Sequence, residues 1–176
     1  QIPLQHGSKI TIDGYINKWE DLTSLKLMSC DSNITSIGTY FLGFCYHLNE
    51  LDLSGFYNLD SINYGFLYDC YDLQSLDLYS WTNILSIGNA FLYNCTSLLD
   101  FIVPNKSPLC FVTSSYYFMN NVNSNIVISC HKYIDEYKSA SVWQKWQSQM
   151  CIDSNYQIRD NLNRLKYITE DVKIEP

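Results

Sequence analysis

The sequence predicts a repeat solenoid, in which short coils stack to form a parallel sheet. Three related segments, SIGTYFLGFC, SINYGFLYDC and SIGNAFLYNC, begin at residues 36, 61 and 86, so they recur every 25 residues. Each segment ends in a cysteine, at Cys45, Cys70 and Cys95. Apolar and polar residues then alternate, as in a half-buried strand. One such unit cannot bury its apolar face alone, so its stability comes from stacking on its neighbours.

Each unit is predicted to hold one strand and one short convex element. The strand is an LxxLxL segment, such as LNELDL at residues 48–53, whose first leucine lies three residues after the cysteine. The SIGxxF segment is predicted to start with a turn and to continue as a short helical or 3₁₀ stretch that ends at the cysteine. This arrangement defines a leucine-rich-repeat solenoid, an α/β fold with a short parallel sheet on its concave face.

A degenerate first copy precedes these units. The segment TIDGYINKWEDLTSLKL, residues 11–27, aligns with SIGTYFLGFCYHLNELDL when one residue is deleted, and Ile12 then occupies the position of Ile37. A first coil that departs from the consensus is expected, because one of its faces meets solvent.

The repeats resemble the BspA-type leucine-rich repeats of bacterial and some protist surface proteins. The resemblance rests on LDLSGFYNLDSINYGFLYDCYDLQSLDL and SIGNAFLYNCTSL and covers roughly residues 8–104. The segment NIVISCHKYIDEYKSASVWQKW, residues 125–146, is similar to the strand and YKxAxxW segment that often close such arrays. The resemblance implies a secreted or cell-surface binding protein without a catalytic centre.

The chain is predicted to have four regions. They are an N-terminal linker at 1–7, a solenoid of about four coils at 8–104, an irregular last coil with a strand and a capping helix at 105–150, and a tail at 151–176. In the tail, Ile158, Leu162, Leu165 and Ile168 have the spacing of an amphipathic helix.

Charge and composition exclude two classes of partner. The net charge is −7, and no cluster of Lys and Arg offers the contacts that nucleic-acid phosphates require. No apolar run approaches the roughly 20 residues that span a bilayer, so no membrane insertion is expected. The oligomeric state cannot be predicted from these residues.

The cysteines of the repeat are predicted to be buried thiols. They lie between phenylalanine and leucine positions, and free cysteine behaves as a small hydrophobe. Parallel side chains on stacked coils also keep the Cβ atoms further apart than a disulfide prefers. Four cysteines lie outside the repeat: Cys30, Cys110, Cys130 and Cys151. A disulfide among Cys110, Cys130 and Cys151 is left open.

No catalytic, metal or cofactor site is predicted. His6, His47 and His131 are scattered, and no motif connects them to a nucleophile. A zinc site needs ligands clustered at short spacing, which a 25-residue cysteine spacing does not supply.

The predicted partner-binding residues flank the second leucine of each LxxLxL strand. They are Ser24, Lys26, Glu50, Asp52, Ser75, Asp77 and Asp100, with Ile102 at the last position of these columns. Like charges on strands about 5 Å apart are unfavourable, so a basic protein is the favoured ligand. A surface glycan, a weakly bound Ca²⁺ and a simply solvated acidic face are the alternatives.

Tyrosines are the second set of predicted contacts, because 15 are present and tyrosine offers a large contact area. The candidates are Tyr57, Tyr68, Tyr79 and Tyr93, whereas Phe56 and Trp81 are expected to pack in the coil. The sequence thus predicts a non-enzymatic module for adhesion or recognition, secreted or on the cell surface. Two alternatives stay open: the receptor-binding tip of a virus- or phage-like structural protein, and the scaffold of a larger secreted hydrolase.

Overall fold

The computed structural model describes residues 10–12, 19–26, 34–108, 112–113 and 117–153. Within these residues every strand pairing is parallel, as a solenoid of stacked coils requires. The elements are β1 (Ile10–Ile12), β2 (Ser24–Lys26), β3 (Ile34–Ile37), β4 (Glu50–Asp52), β5 (Ser61–Ile62), β6 (Ser75–Asp77), β7 (Ser86–Ile87), β8 (Asp100–Ile102), β9 (Val112–Thr113), β10 (Val127–Cys130), α1 (Ile134–Ser139), a 3₁₀ helix (Gln144–Gln149) and β11 (Met150–Ile152).

The first sheet is a five-stranded ladder, β1-β3-β5-β7-β9, that the sequence did not predict. It is built from the Ser-Ile pairs of the repeat, and Ile37, Ile62 and Ile87 lie in register on neighbouring coils. Ile12 pairs with Ile37, which confirms that the degenerate copy at residues 11–27 starts in register with the repeat.

The LxL strands, which are β2, β4, β6, β8, β10 and β11, lie on another side of the coils. They form a pair, β2-β4, and a four-stranded sheet in the order β11-β10-β8-β6. The middle residues of successive strands are in register, because Leu25 pairs with Leu51 and Leu76 with Phe101. The predicted 25-residue register is therefore confirmed between β6 and β8, and the 26-residue separation of Leu25 and Leu51 matches the one-residue deletion needed to align the degenerate first copy.

The expectation of a short helical or 3₁₀ stretch after each Ser-Ile pair is wrong for the coils that the structure describes. These segments are turns in which alternate residues have a positive φ. The residues concerned are Tyr40, Leu42, Phe44, Gly65, Leu67, Asp69, Ala90, Leu92, Asn94, Tyr117, Met119 and Asn121, with φ between 49° and 72°.

Hydrogen bonds between coils explain why this turn replaces a helix. The Asp69 N–H donates to the Tyr93 carbonyl of the next coil at 2.8 Å, whereas the Leu67 N–H donates to the Phe41 carbonyl of the previous coil at 3.3 Å. A left-handed conformation costs about 1–2 kcal/mol per non-glycine residue. Each turn offsets this cost because its backbone groups form hydrogen bonds with both neighbouring coils. A 3₁₀ turn, whose backbone groups bond to each other, could not form them.

The core is a set of ladders running through the coils. Phe66 stacks on Phe91 with ring centroids 5.7 Å apart, and Phe91 stacks on Phe118 at 5.4 Å. The repeat cysteines are buried and unbonded to one another, as predicted. The thiols of Cys70 and Cys95 donate to the carbonyls of Leu42 and Leu67 in the preceding coils, at 3.1 Å and 3.2 Å respectively. The thiols therefore hold the left-handed turns as well as filling the core.

The described part of the chain ends with two short helices and a strand. Helix α1 and the 3₁₀ helix connect β10 to β11, and β11 pairs with β10 in parallel. Trp143, which immediately precedes the 3₁₀ helix, is buried, and Lys145 within that helix donates to the Phe118 carbonyl at 3.1 Å. In earlier coils the equivalent carbonyls accept backbone N–H groups of the following coil. The Lys145 ammonium therefore supplies the hydrogen bond that a following coil would otherwise donate. The predicted tail helix lies outside the described residues.

Candidate functional site

The predicted partner-binding residues lie together on the outer side of the LxL strands. In β2, β4, β6 and β8 the middle residue points inward, and its two neighbours are exposed or half-exposed. Ser24 pairs with Glu50 and Lys26 with Asp52, while Ser75 pairs with Asp100 and Asp77 with Ile102. We call this surface the LxL face; it comprises Ser24, Lys26, Glu50, Asp52, Ser75, Asp77, Asp100 and Ile102, together with Val127, Ser129 and Cys151, which continue the outward columns on β10 and β11. We include Ile152 because it is exposed and lines a groove beside Cys151, although its register partner is the buried Cys130.

Asp52 and Asp77 also hold the turns that follow their strands. Asp52 Oδ1 accepts the Ser54 N–H at 2.9 Å, and Asp77 Oδ1 accepts the Tyr79 N–H at 2.8 Å. This is the Asx-turn pattern, in which an aspartate bonds the backbone two residues on. The repeated Asp-Leu-Ser and Asp-Leu-Tyr triplets were the sequence signal for it, but the sequence prediction assigned both aspartates to binding alone.

The charge of Asp52 is stabilised in the fold. Hydrogen bonds from Ser54, above all from its hydroxyl, lower the pKa of Asp52 to about 2, with partial burial opposing the shift. The Lys26 ammonium lies 3.1 Å from Asp52 Oδ2 and acts in the same direction. Lys26 is thus engaged in an ion pair, and Asp52 is ionised at any physiological pH.

Glu50 and Asp100 differ from these two aspartates. Both are exposed, and neither carboxylate makes a hydrogen bond or ion pair with another described residue. Their carboxylates are consequently the groups of the LxL face most available to a partner. Hydrogen-bond donors or cations from outside the chain would meet no competing contact from the described residues.

Two shallow grooves lie on the LxL face. The larger has a volume of about 570 Å³ and includes Asp77, Asp100, Ile102, Cys151 and Ile152 in its lining. The smaller, of about 370 Å³, lies over β2 and β4 and is lined in part by Lys26, Glu50 and Asp52. Both grooves are lined in part by Leu51 and Ser75, so they adjoin each other on the LxL face.

The predicted tyrosine contacts lie elsewhere, and one of them is not a surface residue. Tyr68 and Tyr93 are half-exposed and stacked, with ring centroids 4.7 Å apart. Tyr57 is half-exposed. Tyr79 is only 4% exposed, because its ring packs edge-on against His131, so the prediction of an exposed contact is wrong there. Phe56 and Trp81 are buried in the core, as expected.

The stacked tyrosines belong to a wider aromatic cluster that was not predicted from the sequence. Tyr46 stacks on Tyr71 at 5.4 Å, and Tyr40 contacts both Tyr64 and Tyr68 edge-on. The 25-residue spacing of Tyr46 and Tyr71 was the available signal. Burial and the neighbouring Asp69 carboxylate raise the pKa of Tyr68, so its hydroxyl stays protonated.

The described residues offer little for catalysis or metal binding. Among them, no group of three or more His, Cys, Asp or Glu side chains could hold a metal ion. Burial raises the pKa of Cys45 to about 11 and that of Cys130 to about 12, which keeps both thiols protonated. His47 bonds Asp72 on the surface, whereas His131 is buried with Nε2 3.1 Å from the Val103 carbonyl.

The open question of a disulfide is partly answered. Cys130 is buried and Cys151 is exposed, and both are free thiols. Cys151 pairs in register with Ser129 rather than with Cys130, so the two cysteine side chains lie on opposite faces of the sheet. Cys110 lies outside the described residues.

Comparison with known proteins gives one match. The family profile described as the BspA type leucine rich repeat region matches residues 11–139, with six copies of the repeat. Because the match covers most of the chain, this protein belongs to the BspA-type leucine-rich-repeat family. No curated protein and no solved structure matches the chain significantly.

Family membership indicates a protein-interaction module, and the fold is consistent with this role. The match continues beyond residue 104 into the region of β10 and α1. In the part of the chain that the structure describes, no helix has the length and apolarity needed to cross a membrane.

Proposed function

We propose that this protein is a non-enzymatic adhesion or recognition module, secreted or displayed on a cell surface, that binds a basic protein partner on the LxL face. The observation that carries the proposal is the imbalance of charge on that face. Among the described residues of that face, four carboxylates, those of Glu50, Asp52, Asp77 and Asp100, are accompanied by a single cation, Lys26.

The arrangement of the strands supports this choice of surface. The inward side of the LxL strands is filled by the core, so their outward side is the part of the repeat left to vary. In a solenoid whose strands line the concave side, side chains from successive coils converge on one ligand. The two adjoining grooves on this surface are consistent with such convergence.

The carboxylates are expected to act mainly on the association rate. An exposed ion pair contributes only about 0–1 kcal/mol. The summed field of several like charges steers an oppositely charged partner and rejects one of the same charge. A basic protein should therefore associate faster at low ionic strength, and this advantage should fade as the Debye length falls to about 8 Å at physiological salt.

A pair of matched double variants tests the proposal. Glu50→Gln with Asp100→Asn removes two carboxylates from the LxL face, and Glu20→Gln with Asp135→Asn removes two exposed carboxylates that line neither groove. Association of a basic probe protein, such as cytochrome c, is measured by stopped flow at several salt concentrations. The first variant should slow association and flatten its salt dependence more than the second. Equal effects from both variants would show that only the net charge matters.

A further inference from the structure

The LxL face changes character from one end to the other. Its outward residues include carboxylates on β4, β6 and β8 and apolar side chains on β8, β10 and β11. The apolar members are Ile102, Val127, Cys151 and Ile152. Val127 is 43% exposed and Ile152 is 61% exposed.

The larger groove joins the two kinds of surface. Asp77 and Asp100 line it on β6 and β8, whereas Cys151 and Ile152 line it on β11. A ligand in this groove would therefore meet carboxylates and apolar side chains at the same time. A purely basic ligand would leave Ile152 in water, and a purely apolar one would bury Asp77 and Asp100 without a counter-charge, which is costly.

The length of the surface limits the size of the matching ligand. The strands β6, β8, β10 and β11 form one sheet, and β4 contacts β6 without a strand pairing, so four spacings of about 4.8 Å give about 19 Å from one end to the other. An extended chain advances about 3.3 Å per residue, so about six or seven residues cross the face. Only alternate side chains of such a segment would point toward the sheet.

We propose that the LxL face binds an extended basic-apolar segment of its partner, laid across the strands. Lysine or arginine side chains lie over Glu50, Asp77 and Asp100, and aliphatic side chains lie over Ile102 and Ile152. This inference rests on the proposed function and adds to it the chemistry and the polarity of the bound segment.

Synthetic heptapeptides test the inference with the full chain. The matching probe is Lys-Ser-Lys-Ser-Ile-Ser-Ile, and the comparison probe is Lys-Ser-Lys-Ser-Lys-Ser-Lys, each carrying a fluorophore for anisotropy measurements. The matching peptide should bind about tenfold tighter than the all-lysine peptide at physiological salt, because it also covers apolar surface. Ile152→Ser should abolish this difference. Leu85→Ser, at a residue that is 56% exposed and outside both grooves, should preserve it.

The outcomes separate this inference from the proposed function. If both peptides bind equally well and Glu50→Gln with Asp100→Asn weakens the binding of both, the proposal of a basic-apolar segment is refuted. The proposal that the LxL face binds a basic partner is then retained. If the matching peptide binds tightly but this double variant changes neither affinity, both proposals fail.

Cys151 reports whether the groove is already occupied. Its exposed thiol lines the groove, so alkylation followed by peptide mass spectrometry should be fast in the protein alone and slower with the matching peptide. Slow alkylation of the protein alone at every concentration would show that the chain covers its own groove. Protection that grows with protein concentration would show that a second copy does so. Either result would overturn the inference.

Discussion

At the scale of single residues, the aspartates of the LxL face have two roles that compete in any mutational experiment. Asp52 holds a turn through the Ser54 N–H and pairs with Lys26, so its carboxylate stabilises the fold as well as charging the surface. Glu50 lies on the same strand and has neither contact among the described residues. Substitutions at Glu50 and Asp100 therefore test binding with little effect on stability, whereas substitutions at Asp52 do not.

Asp52→Asn is predicted to weaken the acid dependence of stability. The folded-state pKa of about 2 lies below the ordinary value of 3.8, so the ionised group stabilises the fold above about pH 4. That contribution is lost as the pH falls toward 2. The side chain is 38% exposed, so the effect at pH 7 should be below about 1 kcal/mol.

Urea unfolding at pH 7 and at pH 2.5 measures this effect. Asp52→Asn should be slightly less stable than the unmodified protein at pH 7, and the difference should be smaller at pH 2.5, where part of the contribution is already lost. Asp135→Asn, at an exposed position of α1, is the control and should leave stability at pH 7 unchanged. A variant as stable as the unmodified protein at pH 7 would show that Asp52 contributes nothing to the fold.

At the scale of elements, the left-handed turns are the feature that sequence reasoning could not supply. Leu42, Leu67 and Leu92 all adopt positive φ, which local propensity opposes. Hydrogen bonds to neighbouring coils decide the conformation, and these are tertiary contacts. A partial signal was present in Asp69, Asn94 and the equivalent Asn121, since Asp and Asn tolerate this conformation better than other residues.

The C-terminal elements were predicted only in part. A strand at 126–128 followed by one or two short helices was expected, and the structure has β10 at Val127–Cys130, α1 and a 3₁₀ helix. Strand β11 was missed because its sequence, Met-Cys-Ile, is three residues long and has no LxxLxL pattern around it. Its position in the sheet follows from packing against β10, which a single sequence does not reveal.

Trp143→Ala is predicted to destabilise the C-terminal part of the array strongly. The indole packs edge-on against Phe118 and Tyr137, each at 4.9 Å between ring centroids, and stacks on Phe101 at 6.2 Å. Removing a buried tryptophan typically costs about 3–5 kcal/mol. Thermal unfolding followed by circular dichroism should show a clearly lower midpoint.

The neighbouring Trp146 provides the matched control for this substitution. It is only partly buried, so Trp146→Ala should lower the midpoint less than Trp143→Ala does. If both substitutions left the midpoint unchanged, the two short helices would be an appendage that does not support the coils. That result would also remove the basis for a helical cap.

At the scale of the whole molecule, the 25-residue period was sufficient to predict the columns of residues on the LxL face. It did not predict that the face changes from charged residues at one end to apolar residues at the other. Register places Glu50, Asp77 and Asp100 on one surface because equivalent residues of stacked coils must align. The apolar end of that surface depends on β11, whose strand was not predicted. The two ends could be recognised as one surface only once Cys151 was placed beside Ser129, which in turn lies beside Ile102.

The most direct test of the central claim is to map where a basic ligand binds. The isotope-labelled full chain is titrated with the all-lysine heptapeptide at low salt while backbone amide resonances are recorded by NMR. The account predicts that the largest shifts fall on β4, β6 and β8, around Glu50, Asp77 and Asp100, and that they shrink as salt is added. Shifts concentrated around Tyr68 and Tyr93, with the LxL strands unaffected, would contradict it.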